Sequence, residues 1–396
     1  MGREPRPVAE RRRKLCTLVT YGLFVRKSFS CGFLLYFAHV KRKVGLDLLR
    51  VALSFEVVID HFWHQEGLTG IWAFLSDMRS LAVPCFLLMS FYLTANRYAT
   101  SDGAWLKKRF GRLCVPYFVW PLLYYVLIVA CTALSPAFVA STLKTTELSH
   151  YGFDLAVNGW DLVRQWTFGL DRRLVHQFWF HSNLIVWTAG LFLLLKVVAR
   201  ERLRVAALVG CIMLGLVVQY SGLNVFLFDR FCFEFKYSVG RLFATLPYAA
   251  VALLIGLQRK RIDEVTSSTR ALFAAIGLFL LFFVHYSGGF PRPNGLGYQG
   301  VSLLLMALGT VTFFACLPLN RAPAIIVSGI GWISKFCMGI YCCHLAVGWA
   351  LHAWLFPKIG VGFESLSACC WIWGASWLLC FLVWLVPVRL GKELVE

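Results

Sequence analysis

Residues 367–388 read SACCWIWGASWLLCFLVWLVPV, a run without a single charged side chain. At 1.5 Å per residue a helix of this length reaches roughly 33 Å, enough to cross the roughly 30 Å hydrocarbon core of a bilayer. A helix that is apolar on every side has no face for water, so its solvent is lipid.

Working outward, runs of the same kind recur along the chain. They fall near 45–64, 72–96, 113–134, 178–198, 204–220, 239–257, 271–286, 298–317, 330–352 and 367–388. Composition agrees. Of the 396 residues, 59% are hydrophobic and only 15% charged, against about 25% charged in an ordinary soluble domain. The sequence therefore predicts an all-α, polytopic integral membrane protein with about ten transmembrane helices, and the lipid bilayer as its first partner. No repeat of fixed period and no separate soluble domain stand out.

The formal net charge is +19. A basic excess can mark a nucleic-acid partner, but here the basic residues sit between apolar runs, which is the pattern of topology. No nucleic acid is expected. With ten spans, one set of loops carries Lys41, Arg42 and Lys43, then Arg97 to Arg112, Lys196 to Arg204, Arg259 to Arg270, Arg321, Arg389 and Lys392. The short loops opposite hold only Arg292 and Lys358. Both termini are thus expected in the cytoplasm, around one membrane domain over 41–390 with a cytoplasmic tail at 391–396. Two longer segments, 135–177 and 221–238, face outward. Residues 1–40 start strongly basic, and their apolar part is interrupted by Arg26 and Lys27. They read as an interfacial or partly inserted helix, or as an upstream extension of the chain. Most of the 14 cysteines lie in apolar runs and none forms a CxxC pair. Buried thiols usually act as small hydrophobes, so neither a metal site nor a disulfide framework is expected.

The first span breaks the rule that membranes exclude charge. GLDLLRVALSFEVVIDHFWH (45–64) contains Asp47, Arg50, Glu56, Asp60, His61 and His64. Ionisable groups inside a bilayer are expensive and mark function by default. Arg50 and His61 are separated by about three helical turns, so they share a face some 16 Å apart along the axis. Asp60 and His64 stand at i,i+4, where a carboxylate can hold an imidazole in one tautomer. With a cytoplasmic amino terminus, Arg50 lies near the inner leaflet and His61 in the outer half. A lone Arg at a span's start often snorkels to headgroups, and a lone His at its end often sits harmlessly at the interface. The two together, with Glu56 and Asp60 between them, favour a functional reading.

Arg50, ten intervening residues and His61 match the R-x10-H pattern of the first helix in the acyltransferase-3 family of membrane enzymes. Four further segments resemble that family in order. VPCFLLMSFYL (83–93) is similar to its "vpxFFxxSGfL" text and KKRFGRLCVPYF (107–118) to its cytoplasmic R-x-x-R…P loop, through Arg109, Arg112 and Pro116. FWFHSNLIV (178–186) resembles its "WFlxxLi" helix, and MGIYCCHLAV (338–347) its late "giYllH" helix. One departure stands out: Ser90-Phe91 occupies the place of the family's Ser-Gly. Glu56 and Asp60 also exceed the acidity of the family's first helix.

The resemblance implies transfer of an acyl group, commonly acetyl, from cytoplasmic acyl-CoA to a sugar hydroxyl of a surface glycan or its lipid-linked precursor. It further implies a bacterial inner membrane. Acyl-CoA would be a donor substrate, with no bound cofactor. His61 would be the catalytic residue, as general base or transient acyl carrier. Arg50 would bind the donor or stabilise the thioester oxyanion. Arg109 and Arg112 would meet the phosphates of CoA, which suit the planar fork of a guanidinium.

Weaker candidates for substrate binding are Tyr341 and His344, at i,i+3 in the late motif, and a polar-aromatic group at the fourth span's outer start, His176, Trp179, His181 and Asn183. Arg230, Lys236 and Arg241 suit an anionic glycan or pyrophosphate. A rival reading is a proton-coupled secondary transporter or glycolipid flippase with a relay in the first-helix acids and histidines. Matching hydropathy halves and paired broken helices, which that reading calls for, are not evident.

Overall fold

The computed structural model describes residues 43–63, 79–100, 103–134, 158–169, 176–221, 233–258, 266–287, 300–319, 322–362, 365–385 and 394–395. Among these the chain is all-α, without strands. The helices are α1 (Val44–Phe62), α2 (Ala82–Thr100), α3 (Gly103–Leu134), α4 (Gly159–Phe168), α5 (Trp179–Val197) and α6 (Glu201–Ser221). They continue as α7 (Phe233–Leu257), α8 (Ser267–Ser287), α9 (Val301–Cys316), α10 (Ala324–Ile333), α11 (Cys337–Trp354), α12 (Phe356–Ile359) and α13 (Leu366–Leu385).

Each of the ten expected segments contains a helix. Among the described residues six stretches are long and apolar enough to cross a membrane: Gly103–Ala130, Trp179–Val197, Glu201–Ser221, Val239–Leu257, Ala324–Trp354 and Leu366–Leu385. Ser268–Leu280 and Val301–Cys316 are shorter apolar helices. Where large apolar side chains stay exposed, they line helix faces: Met213 and Val217 on α6, Leu272 and Phe279 on α8, Leu378 and Leu382 on α13. In water such faces would drive aggregation; in a bilayer they are the surface the lipid wets. The protein is an all-α integral membrane protein.

α1 does not belong to the lipid-facing set, because it carries Asp47, Arg50, Glu56 and Asp60. The fold shields it instead. α1 packs against α2, α9, α10, α11 and α13, and of its length only Ala52 is exposed. Gly45 allows the tightest of these approaches, since a Cβ there would collide with the carbonyl of Phe314 on α9. Small residues at such crossings let backbones close in where lipid gives no hydrophobic incentive to associate.

Two elements differ from the sequence expectation. The run expected as one span over 330–352 belongs to a longer, interrupted helix, in which a 3-10 turn at Ser334–Phe336 separates α10 from α11. Ser334 Oγ donates to the Gly331 carbonyl at 3.1 Å, a back-bond that bends helices. α3 begins ten residues before the expected boundary at 113. Within the segment 135–177, expected to face outward, α4 is started by a capping box in which the Asn158 side chain accepts from the Trp160 and Asp161 amides and Asp161 accepts from the Asn158 amide. It rests on α3 through Tyr117, whose hydroxyl donates to the carbonyls of Gln165 and Trp166 at 3.0 and 2.7 Å. Near the carboxyl end Leu394 and Val395 are buried, Leu394 accepting from Trp120 Nε1 at 3.2 Å.

Candidate active site

His61 lies in the last turn of α1, where the helix ends at Phe62 and Trp63 closes it by donating its backbone N–H to the Ile59 carbonyl. Its ring meets that of His344 on α11, with centroids 5.1 Å apart and planes inclined by 34°. The Phe62 ring stands edge-on to His344 at 6.3 Å. Gly348, one turn further along α11, makes room for Phe62, because any Cβ there would enter the Phe62 ring. Apolar packing therefore fixes where the two imidazoles meet.

The tautomer of His344 follows from its partners. Its Nδ1 lies 2.9 Å from the Tyr341 carbonyl and 3.1 Å from the Ile340 carbonyl. A carbonyl only accepts, so Nδ1 carries the proton in the neutral ring and Nε2 keeps the lone pair. His344 is fully buried.

Tyr341 extends the group towards α5. Its ring lies 6.2 Å from His344 and 5.5 Å from His181, and its hydroxyl donates to the Gln177 carbonyl. His181 is fully buried, 3.8 Å from the thiol of Cys342. The structure thus gathers His61, His344, Tyr341 and His181, from three helices, into one chain of ring contacts.

Other candidates from the start of α5 make contacts within the protein. Asn183 donates to the Arg241 carbonyl at 3.1 Å and to Thr245 Oγ1 at 3.2 Å, tying α5 to α7. The buried ring of Trp179 is covered by the Arg241 guanidinium, 4.6 Å from its centroid. His64 and Arg230 lie outside the described residues, as do the side chains of His176 and Lys236, so the expected Asp60–His64 pair falls outside them too.

Towards the other end of α1, Arg50 Nη1 donates to Asp47 Oδ1 at 3.2 Å. Asp47 also accepts from Ser334 Oγ, in the 3-10 turn, at 3.3 Å. Asp47 is buried while the Arg50 side chain is one-third exposed. The partner three residues back draws the guanidinium away from the His61 end. An oxyanion forming beside His61 lies about 16 Å along the axis from Arg50, far beyond hydrogen-bond reach. Arg50 and His61 thus stand at opposite ends of α1.

Arg109, six residues into α3, reaches between helices. Its Nη2 donates to Ser90 Oγ on α2 at 2.9 Å and its Nε to Thr188 Oγ1 on α5 at 3.3 Å. The guanidinium carbon lies 5.8 Å from the ring centroids of both Phe91 and Trp105. Arg112, one turn later, is exposed. Sequence reading left Ser90 without a role and did not single out Thr188, whose only signal is a hydroxyl within an apolar run. Lys43 donates to Tyr92 Oη at 2.8 Å, which sets the start of α1 level with this part of α2.

A family model described as an acyltransferase domain matches residues 43–388. A search of curated proteins and a search of solved structures each gave no match.

Proposed function

The chain belongs to the acyltransferase-3 family, and from that premise we propose that it moves an acyl group, acetyl in the first instance, from cytoplasmic acyl-CoA to a hydroxyl of a surface glycan or its lipid-linked precursor in a bacterial inner membrane. The observation that carries the reading is the contact between His61 and His344 at 5.1 Å, inside a helix bundle and on the helix that also bears Arg50.

In the reaction His61 accepts the proton of the acceptor hydroxyl as its oxygen attacks the thioester carbonyl. The tetrahedral intermediate then expels the thiolate of CoA, which takes the proton back from the imidazolium and leaves as the thiol. Acyl carriage on a histidine nitrogen would divide the same bond changes into two steps. His344, its Nδ1 held by helix carbonyls, places a second imidazole where it can take up charge developing on His61. Arg50, aimed by Asp47, contacts the body of the donor, and Arg109 and Arg112 its phosphates. Glycan acceptors meet the site from the side of Tyr341 and His181.

The test is release of CoA thiol from acetyl-CoA by the purified protein, with a crude surface-glycan extract as acceptor. Release that depends on the extract and is lost in His61→Ala supports the reading. A wild-type protein that neither binds acetyl-CoA nor releases thiol with any extract rules it out.

A further inference from the structure

We propose that Ser90 and Thr188 are positioning residues that aim the Arg109 guanidinium at a phosphate of the acyl-CoA donor. The inference rests on the acyl-CoA reading above and adds to it which hydroxyls make Arg109 competent.

An arginine side chain has many rotamers, and a phosphate-binding site gains from having one chosen in advance. Here two helices choose it. Ser90 Oγ takes a hydrogen from Nη2 and Thr188 Oγ1 takes the hydrogen of Nε, from α2 and α5, which pack on each other. The rings of Phe91 and Trp105, each with its centroid 5.8 Å from the guanidinium carbon, crowd it further. Tyr98 Oη donates to Thr188 Oγ1 at 3.4 Å, which orients that hydroxyl to accept. A guanidinium has five N–H donors. Besides the two spent on Ser90 and Thr188, one meets the Tyr98 hydroxyl, and two remain for an outside oxyanion.

Placement agrees with this use. Arg109 is partly exposed, not sealed in. It stands beside the exposed Arg112 at i,i+3, so one helix face presents two cations. Through the Lys43–Tyr92 bond, the first turn of α1 is held at the level of Ser90, and Arg50 follows deeper along α1. Lys43 and Arg50 thus precede His61 along α1, on a helix whose start is tied to the helix that holds Ser90. Were Arg109 only a clamp between helices, a neutral amide would serve as well without the cost of placing a charge there. Phe91, fully buried where the family pattern has glycine, supplies one of the rings beside Arg109.

The experiment compares initial rates with acetyl-CoA and with 3′-dephospho-acetyl-CoA for wild type, Ser90→Ala, Ser90→Thr and Thr188→Val, together with melting temperatures. Losing one hydrogen bond to a charged group corresponds to roughly a tenfold change or somewhat more. Ser90→Ala and Thr188→Val are therefore expected to raise the KM for acetyl-CoA by about tenfold, with kcat within twofold and melting temperature little changed. Ser90→Thr, which keeps the hydroxyl, is expected to restore the KM. If the alanine variant no longer distinguishes the two donors, Arg109 meets the 3′-phosphate; if it keeps the wild-type ratio, Arg109 meets the pyrophosphate. Variants whose KM for acetyl-CoA is unchanged, or whose kcat and melting temperature fall together, overturn the proposal. Wild type that ignores both donors overturns the acyl-CoA reading itself, and the proposal falls with it.

Discussion

The His61 and His344 rings lie 5.1 Å apart and tilted by 34°, although one ends the first helix and the other sits in the middle of α11. The contact is prepared from both sides. On α11 two carbonyls accept from Nδ1 of His344, and α1 contributes Phe62, which stands against the His344 ring and in the notch at Gly348. Burying a histidine fully in a bundle is unfavourable unless its nitrogens are used. A second imidazole beside the expected catalytic one is therefore a chemical feature before it is a packing feature.

Replacing His61 by alanine is expected to lower kcat for thiol release by about 10²- to 10⁴-fold, the usual contribution of a positioned acid or base. Acetyl-CoA binding, measured by equilibrium titration, should hold. His344→Phe preserves an aromatic ring for Phe62 to pack on and removes the nitrogens. It should reduce kcat at least tenfold while the melting temperature stays near wild type. Activity that survives His344→Phe intact would reduce His344 to a packing residue.

Gly348→Ala places a methyl group inside the Phe62 ring volume, and Phe62 is almost fully buried with nowhere to retreat. Overpacking of this kind destabilises by about 1–3 kcal/mol. Because Phe62 adjoins both His61 and His344, the variant should also lose kcat more than it loses acetyl-CoA affinity. Thermal unfolding and initial rates on the same preparation check both parts.

The membrane fold was legible from charge-free runs such as 367–388, since bilayer thickness ties a span to its length. The break at Ser334 was not. No proline marks it, a single charge at Lys335 does not by itself predict a break, and the contact that accompanies it, Ser334 to Asp47, joins residues far apart in sequence. The early start of α3 was hidden because Lys107, Lys108 and Arg109 lower hydropathy, while being good helix formers. In the site, Arg50 and His61 showed themselves as ions in an apolar helix, and His344 by its place in a motif. Ser90 and Thr188 could not, because a hydroxyl in an apolar run gives no clue to its partner. Asn183 was open for the same reason: its amide suits a sugar, and in the fold its amide hydrogens meet Arg241 and Thr245.

That difference can be measured. Asn183→Ala leaves the Arg241 carbonyl and Thr245 without their amide partner, inside the bundle. Stability is expected to fall by about 1–3 kcal/mol, with the half-saturating concentration of glycan extract unchanged. His181→Leu, in contrast, removes a ring in contact with Tyr341 and should raise that concentration without a comparable loss of stability. Thermal unfolding beside acceptor titrations separates the two, and identical behaviour of both variants would place His181 with Asn183 as a structural residue.

Asp47 offers the sharpest separation of donor binding from chemistry. Its ion pair with Arg50 is one-third exposed on the arginine side, and pairs so open to solvent contribute no more than about 1 kcal/mol to stability. Its larger effect is directional, holding a guanidinium that would otherwise sample several rotamers. Asp47→Asn keeps an oxygen for Arg50 and Ser334 to donate to, and should raise the KM for acetyl-CoA only a few-fold. Asp47→Ala removes that oxygen and should raise it by about tenfold or more, as should Arg50→Lys, which replaces a planar fork with a point charge. In all three kcat should stay within a few-fold of wild type, because none touches the His61 end of α1. A kcat that collapses in Asp47→Ala while KM stays fixed would instead bring Arg50 to the reacting carbonyl, and α1 would then have to bend to deliver it.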